Sequence, residues 1–287
     1  MMTISLEALG TKWQIEILQT GLGSQVIENA TTDFLQEFEN RYSRFKTGSW
    51  LTQLNRDRVF HDPHPEFVEL LNESLRFYAE TKNIFNIAIG EKMNESGYDA
   101  TYSFTSTPVQ SVENTDVAEM LLVTREKITL RSGQLDLGGI GKGFAIDKLA
   151  ALYQAKFHLQ SFVINGGGDI YATHDDGQPI QITLTHPKNH ALSIGTVELK
   201  NQGFASSSPW VRAWPDKKTG KLFNHLHTSN EVTSYVVAPT ATEADVWATT
   251  LCVEPATKVP AEVASLLLAG TSVVSVSNLF DVHTKRT

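Results

Sequence analysis

LDLGGIGKGFAIDKLA, residues 135–150, places a glycine-rich turn between an apolar segment and a helix. Lys142 lies in this turn among four glycines, namely Gly138, Gly139, Gly141 and Gly143. Glycine permits positive φ and lets backbone amides approach a ligand closely, while the start of a helix adds a partial positive field. Together with the charge of Lys142, this turn predicts a site for a phosphate or diphosphate group. The alternative is a structural turn that carries an exposed lysine.

Two well-known phosphate-binding motifs do not fit this turn. A P-loop needs a glycine five residues before Gly141, where Asp136 stands, and a Ser or Thr after Lys142, where Gly143 stands. A dinucleotide fingerprint that starts at Gly139 needs its last glycine at position 144, which is a phenylalanine. The sequence therefore argues against both a P-loop NTPase and an ordinary NAD-binding domain.

A second glycine cluster ends a buried strand. In FVINGGGDI, residues 162–170, three glycines follow an apolar strand and stand directly before Asp169. Loops at strand ends are common ligand contacts, so Asp169 could bind a ribose hydroxyl or the edge of a flavin. It could equally cap a turn.

A third segment, APTATEADVWATTL at residues 238–251, predicts a helix with two oxygen ligands on one face. Thr240 and Glu243 have the spacing of a capping box, which starts the helix near residue 241. Asp245 and Thr249 are four residues apart and therefore project from the same face. Hard oxygen ligands near a phosphate suit Mg²⁺. The alternative is an acid that favours the helix dipole, together with an ordinary helix threonine.

Hydrophobic periodicity along the rest of the chain predicts an α+β fold with an antiparallel or mixed sheet in the second half. Strands are predicted at residues 13–17, 121–124, 128–130, 162–164, 180–184, 194–199 and 233–237. Helices are predicted at residues 26–38, after Pro65, within 135–153, at 241–253 and at 260–268, the last with Gly270 as its C-cap. The polar stretch 94–116 is interpreted as a surface connection, which leaves residues 1–287 as a single domain.

Composition excludes several classes of protein. A formal charge of −8 argues against sequence-independent binding of nucleic acid. The single cysteine, Cys252, allows neither an intramolecular disulfide nor a cysteine-based zinc site, and its apolar surroundings predict burial. No run of about 18 apolar residues is present, so no membrane span is predicted. The N-terminus has strand-like alternation without a signal-peptide pattern, and a cytoplasmic protein is expected.

Taken in order, the three segments resemble the ApbE family of FAD:protein FMN transferases. LDLGGIGKGFAID is similar to the family's DLGxxxKGxxxD segment, FVINGGGDI to its GGD loop, and EADVWATTL to its ADxxxT segment. Weaker similarities are ALGTKW to the N-terminal MGT, YSRFKTGSWLTQLN to the SRY…S…LN stretch, and THPKN to the IxxP turn. The likeness extends over most of the chain.

The resemblance implies two interlocked α+β halves of the T-fold-like, ApbE type, with FAD held in a cleft. It implies an enzyme that transfers FMN from FAD to a Thr or Ser of a target protein and releases AMP. Mg²⁺ would be bound by Asp245, Thr249 and the Gly139 carbonyl, with Lys142 near the diphosphate and His225 as the base that acts on the attacking hydroxyl. The residues expected to line FAD are Asn55, Gly138, Gly139, Gly141, Lys142, Gly167, Asp169 and Ser207.

The chain departs from the family pattern at three places. The family's TSG stands here as Ser206, Ser207 and Ser208, its FDP as residues 85–87 (FNI), and its HIxDPxTG as residues 225–230 (HLHTSN). These departures bear on substrate handling more than on metal or diphosphate binding. Three alternatives stay open: an FAD diphosphatase that gives FMN and AMP, since the nucleophile comes from outside the chain; a non-catalytic flavin-binding protein, which the altered loop makes credible; and an α+β protein of unknown ligand.

Overall fold

The computed structural model describes residues 1–18, 23–99, 101–107, 116–270, 272–277 and 280. Seven helices lie in this part of the chain: α1 Ser24–Tyr42, α2 Trp50–Asp57, α3 Pro65–Glu80, α4 Gly90–Glu95, α5 Val117–Met120, α6 Gly141–Phe157 and α7 Ala241–Val253. The described strands are β1 Met2–Ala8, β2 Thr11–Ile17, β3 Val59–His61, β4 Leu121–Val123, β5 Lys127–Leu130, β6 Phe162–Gly166, β7 Asp169–Thr173, β8 Ile180–His186, β9 Asn189–Leu199, β10 Gln202–Ser207, β11 Ala213–Pro215, β12 Leu222–Asn224, β13 Val232–Ala238, β14 Ala264–Ala269 and β15 Ser272–Val276. Among the described helices, none is long and apolar enough to cross a membrane.

The chain forms two compact units, each assembled from separated stretches of sequence. The first unit comprises Met1–Gln36, Ile140–Val211 and Thr228–Thr287, and the second comprises Glu37–Gly139 and Arg212–His227. The α+β class is confirmed. The expectation of one domain over residues 1–287 stays a prediction.

An antiparallel sheet of eight strands forms the first unit, in the order β1-β2-β6-β7-β10-β13-β14-β15. Successive strand residues point to opposite faces. On β13, Tyr235 and Val237 therefore pack on one side with residues of β8 and β9, whereas Val236 and Ala238 pack on the other side against α7. The sheet thus lies between a hairpin and a helical layer that includes α6 and α7.

The second unit contains α2 to α5, a three-stranded antiparallel sheet in the order β3-β5-β4, and the β11–β12 hairpin. Helix α3 begins at Pro65 and buries the apolar stripe that its periodicity predicts, including Phe67, Leu70 and Leu71. Arg44 and Asp136 form an ion pair whose side chains are each 9% exposed. Since Asp136 stands just before the glycine turn, this pair anchors the turn on the side of the second unit.

The structure confirms most of the predicted elements and contradicts one. Residues 260–268 do not form a helix, because Ala264–Ala269 is strand β14, paired between β13 and β15. All but the last of its residues are buried, so the strand presents apolar side chains on both faces and shows no alternation. Gly270 follows β14 with φ +62° and ends a strand instead of a helix.

Two further predictions concern single segments. Cys252 is fully buried, as its apolar surroundings predict, and its thiol donates a hydrogen bond to the Val232 carbonyl, 3.0 Å away. The stretch 94–116, interpreted as a surface connection, begins inside α4. Its residues 100 and 108–115 lie outside the described part of the chain.

Candidate functional site

The start of helix α6 brings three of the predicted site residues together. The Lys142 ammonium contacts the Asp169 carboxylate, and its Nζ lies 3.6 Å from Asp245 Oδ2. Asp169 and Asp245 are each 3% exposed, whereas Lys142 is partly exposed. Two buried carboxylates therefore face one ammonium, although they come from distant parts of the sequence.

Helix α7 begins where the capping box predicts and is tied to α6 by a carboxylate. Thr240 Oγ1 accepts a hydrogen bond from Glu243 N–H at 3.1 Å, and the helix starts at Ala241. One turn further, Asp245 Oδ2 accepts a hydrogen bond from Gly143 N–H, also at 3.1 Å. Asp245 thus satisfies an amide in the first turn of α6, which has no partner within its own helix.

Asp147 makes the reverse connection, from α6 to α7. Its Oδ1 accepts from Ala241 N–H at 2.9 Å and its Oδ2 from Thr242 N–H at 2.8 Å, while the Thr242 hydroxyl also donates to Oδ2. Burial raises the pKa of Asp147, and these hydrogen bonds oppose that rise. Reasoning from the sequence gave Asp147 no role. The available signal was its place as the acid that ends the DLGxxxKGxxxD segment, one turn after Gly143.

The glycines before Asp169 form the tight turn between β6 and β7. Gly167 and Gly168 have φ values of +75° and +105°, and Gly168 N–H donates to Asn165 Oδ1 at 2.9 Å. A Cβ at Gly167 would collide with the Thr11 side chain, so this position admits only glycine. The turn places Asp169 at the first position of β7, where its carboxylate meets Lys142.

Comparison with known proteins identifies the family of this chain. The family model described as "ApbE family" matches residues 9–271 of the chain. The chain belongs to the ApbE family. The FAD:protein FMN transferase of Salmonella typhimurium is 23% identical over 276 residues, which cover 86% of this chain and 77% of the relative. The enzyme of the same name from Escherichia coli K12 is also 23% identical, over 275 residues.

Solved structures of ApbE proteins share this fold. The ApbE protein of Thermotoga maritima superposes with a TM-score of 0.82 at 18% identity, covering 96% of this chain and 97% of that one. The flavin transferase ApbE of Vibrio cholerae superposes with a TM-score of 0.72 at 18% identity and covers 99% of this chain and 97% of its own.

Carboxylates accept hydrogen bonds from two amides of the ApbE glycine turn, those of Gly138 and Gly143. Gly138 N–H donates to Asp136 Oδ1 at 2.7 Å within the second unit. Gly139 is the last residue of the segment Glu37–Gly139, and Gly141 is the first residue of α6. A Cβ at Gly143 would lie 2.5 Å from the carbonyl oxygen of residue 241 at the start of α7. The glycine here is therefore required by the close approach of two helices.

Two asparagines of the second unit bond to nearby backbone. Asn55, expected to line FAD, donates through Nδ2 to the Leu135 carbonyl at 2.9 Å and accepts through Oδ1 from Leu135 N–H at 2.8 Å. Asn86, which stands where the ApbE pattern has an acid, accepts from Ala88 N–H at 2.8 Å. Asn55 thus holds the segment that leads into the glycine turn.

The serines that replace the ApbE TSG segment are accommodated in different ways. Ser207 Oγ lies 3.4 Å from Thr249 Oγ1, which joins two of the predicted site residues at the end of β10. Ser208, in place of the family glycine, is buried, and its Oγ accepts a hydrogen bond from the Thr233 hydroxyl at 3.0 Å. The added hydroxyl at position 208 is therefore satisfied within the fold.

The two histidines of the altered ApbE loop belong to the second unit and lie in different surroundings. His225 Nδ1 lies 3.3 Å from the Arg212 carbonyl oxygen. His227 has φ +50°, and its Nε2 lies 3.1 Å from Met93 Sδ. Burial, and then the charge of Lys92, lower the pKa of His227, so its neutral form is favoured.

Another group of possible metal ligands lies away from these residues. In the described part of the chain, His174, Asp175 and Asp176 place their ligand atoms within 4.8 Å of one another. They are consecutive residues in one turn, both acids are exposed, and Asp176 Oδ1 already accepts from Gln178 N–H at 2.9 Å. This arrangement is typical of a polar turn, and the α6–α7 junction is the better candidate because its carboxylates are buried.

Proposed function

We propose that this ApbE protein transfers FMN from FAD to a Thr or Ser hydroxyl of a target protein, with Mg²⁺, and releases AMP. The observation that carries the proposal is the junction of α6 and α7, where Asp245, Asp169 and Lys142 meet beside two helix starts. The curated relatives with the name FAD:protein FMN transferase support it.

The donor chemistry of α7 fits magnesium. Asp245 offers a carboxylate and Thr249 a hydroxyl from one helix face, and both are hard oxygen donors of the kind that Mg²⁺ takes together with waters and phosphate oxygens. Bound Mg²⁺ supplies neutralisation of the negative charge on the diphosphate. The Gly139 carbonyl, which belongs to the second unit, stays a prediction from the resemblance.

The first turn of α6 is suited to the diphosphate of FAD. The partial positive charge of a helix start favours anions, and Lys142 adds a full charge at the same place. Asp169 and Asp245 restrict where the Lys142 ammonium can lie. Phosphoryl-type transfer depends mainly on such positioning and charge neutralisation.

The transfer step balances without any further reactant. The hydroxyl oxygen of the target forms a bond to the phosphorus of the FMN half, and the bond from that phosphorus to the bridging oxygen breaks. AMP leaves with the bridging oxygen, and the hydroxyl proton passes to a base. By the resemblance, His225 is the proposed base, since a neutral imidazole can accept a proton near neutral pH.

AMP release from FAD tests this proposal. Purified protein is mixed with FAD and Mg²⁺, with and without an acceptor protein of one of the curated transferases, and AMP and the mass of the acceptor are measured. Asp245→Asn should lower AMP release by roughly 100-fold, the order expected when a group that organises transition-state charge is lost. Asp176→Asn, at an exposed acid in the same unit, is the matched control and should change nothing.

The acceptor decides between this activity and its alternatives. AMP formed only with the acceptor, together with a flavin mass on that protein, supports the transferase. AMP formed equally without it would instead indicate an FAD diphosphatase. Tight FAD binding without AMP in either mixture would contradict both activities and leave a flavin-binding protein.

A further inference from the structure

Helices α6 and α7 cap each other. Asp245 of α7 accepts from Gly143 N–H in the first turn of α6, and Asp147 of α6 accepts from the first two amides of α7, those of Ala241 and Thr242. Helix α6 receives no side-chain hydrogen bond from its own N-cap residue. Each helix therefore satisfies part of its N-terminal turn with a carboxylate of the other helix.

This exchange occurs at a close approach of the two helices. A Cβ at Gly143 would lie 2.5 Å from Ala241 O and 2.7 Å from Thr242 Cα, so a side chain at position 143 would push them apart. Ala241 and Thr242 are the two residues that Asp147 holds. Both carboxylate contacts and the steric contact thus fix one register between the helices.

We propose that Asp147 is a positioning residue for the metal site, acting through Asp245. By holding the first turn of α7 against α6, it sets where the Asp245 carboxylate lies relative to Lys142. Asp147 itself touches neither metal nor FAD in this account. The inference rests on the proposed function, because it assigns Asp245 to the metal.

A carboxylate is needed at this position because three donors converge on it. Two amides and the Thr242 hydroxyl donate to the two oxygens of Asp147. An ionised carboxylate can accept all three, whereas the amide of Asn would point an NH₂ group at one of these donors. Its negative charge also favours the start of α7. Asp147→Asn therefore keeps the size of the side chain and breaks its hydrogen-bonding pattern.

The matched control is another cap of the same helix. Thr240 caps α7 from within, because its hydroxyl accepts a hydrogen bond from Glu243 N–H of the same helix. Thr240→Ala weakens the start of α7 in the ordinary way and leaves the Asp147 contacts in place. A role limited to helix stability predicts the same effect from both variants.

The test is a Mg²⁺ titration of the full chain with FAD present, followed by the rise in Tm, since a metal that binds the folded state stabilises it. Asp147→Asn should raise the half-saturating Mg²⁺ concentration at least about fivefold, whereas Thr240→Ala should leave it within about twofold of the wild type. Thr242→Ala removes one of the three donors and should give a smaller rise in the half-saturating Mg²⁺ concentration. This variant still tests the positioning role if Asp147→Asn does not fold.

The outcomes distinguish failure of the positioning role of Asp147 from failure of the proposed function. Wild-type and Asp147→Asn proteins with equal Mg²⁺ dependence would overturn the positioning role and leave the proposed function standing. An equal rise in the half-saturating Mg²⁺ concentration in Asp147→Asn and Thr240→Ala would also overturn the positioning role. A wild type that shows no Mg²⁺ response would contradict the metal site itself, and the inference with it.

Discussion

Lys142 supplies a positive charge to the candidate site, where two carboxylates face it. Its ammonium contacts Asp169 and lies 3.6 Å from Asp245, and both carboxylates are buried. A buried carboxylate that loses its cation is costly, so Lys142 stabilises the fold as well as offering charge to a ligand. The two contributions can be separated by experiment.

Lys142→Met should reduce both stability and FAD affinity. We expect a loss of about 1–3 kcal/mol in the free energy of unfolding, because the Asp169 carboxylate stays buried without this partner. FAD binding should weaken roughly 10-fold as the diphosphate loses a cation. Urea unfolding and equilibrium dialysis measure the two quantities. Adding Asp169→Asn should restore stability without restoring affinity, and recovery of both would contradict a direct role of Lys142 with FAD.

His227 gives the molecule a specific pH dependence. Burial, and then Lys92, lower its pKa, while Asp136 and Glu95 oppose the change. The unfolded chain therefore binds the proton more tightly than the folded chain. The contribution of His227 to stability is fully present above the ordinary histidine pKa of about 6.5, and it is lost as the pH falls from there through the lowered pKa of the folded state.

His227→Asn should reduce that dependence. Asn tolerates the positive φ of this position and does not titrate, so its free energy of unfolding should fall less between pH 7.5 and 5.5 than that of the wild type. Urea unfolding at a series of pH values provides the comparison. His61→Asn, at an exposed histidine of β3, is the control, and an equal effect from both substitutions would remove His227 from the explanation.

At the scale of elements, the crossing of α6 and α7 determines the geometry of the site. A Cβ at Gly143 would lie 2.5 Å from the backbone of α7. Asp147 lies one turn after Gly143 on α6, and Asp245 lies one turn after Ala241 on α7. The packing of the two helix starts therefore brings the charged residues of two separate sequence motifs together in one cluster.

Gly143→Ala tests this crossing. Replacing a helix glycine by alanine usually stabilises a helix by about 0.5–1 kcal/mol, but here the added Cβ should cost about 1–3 kcal/mol through overpacking. AMP release should fall by roughly 100-fold, as for a misplacement of about 1 Å in a catalytic group. Gly48→Ala, where a Cβ meets no atom within 4 Å, is the control. A Gly143→Ala protein as stable and active as the wild type would contradict the account of this contact.

Sequence patterns predicted what lies within one element and missed what joins elements. The capping box at Thr240 is confirmed, because its signal is the spacing of neighbouring residues. The strand β14 was predicted as a helix, since an apolar run that is buried on both faces has no period to distinguish the two. The partners of Asp147 lie 94 and 95 residues away, and no local pattern encodes such contacts.

At the scale of the whole molecule, the family follows from the order of the segments, and the family model agrees over residues 9–271. The division into two compact units could not be read from composition, because the first unit joins stretches separated by 103 and 16 residues and the second joins stretches separated by 72 residues. Of the residues expected around FAD, Lys142, Asp169 and Gly167 lie in the first unit, and Asn55 lies in the second. Their roles toward FAD remain predictions.

The most direct test of the central claim is to locate a metal in crystals of the full chain grown with Mn²⁺ and FAD, using anomalous scattering. Mn²⁺ accepts the same hard oxygen ligands as Mg²⁺. We expect a peak at roughly 2.0–2.3 Å from an Asp245 carboxylate oxygen and from Thr249 Oγ1. A metal bound at His174–Asp176 with none at Asp245 would contradict it.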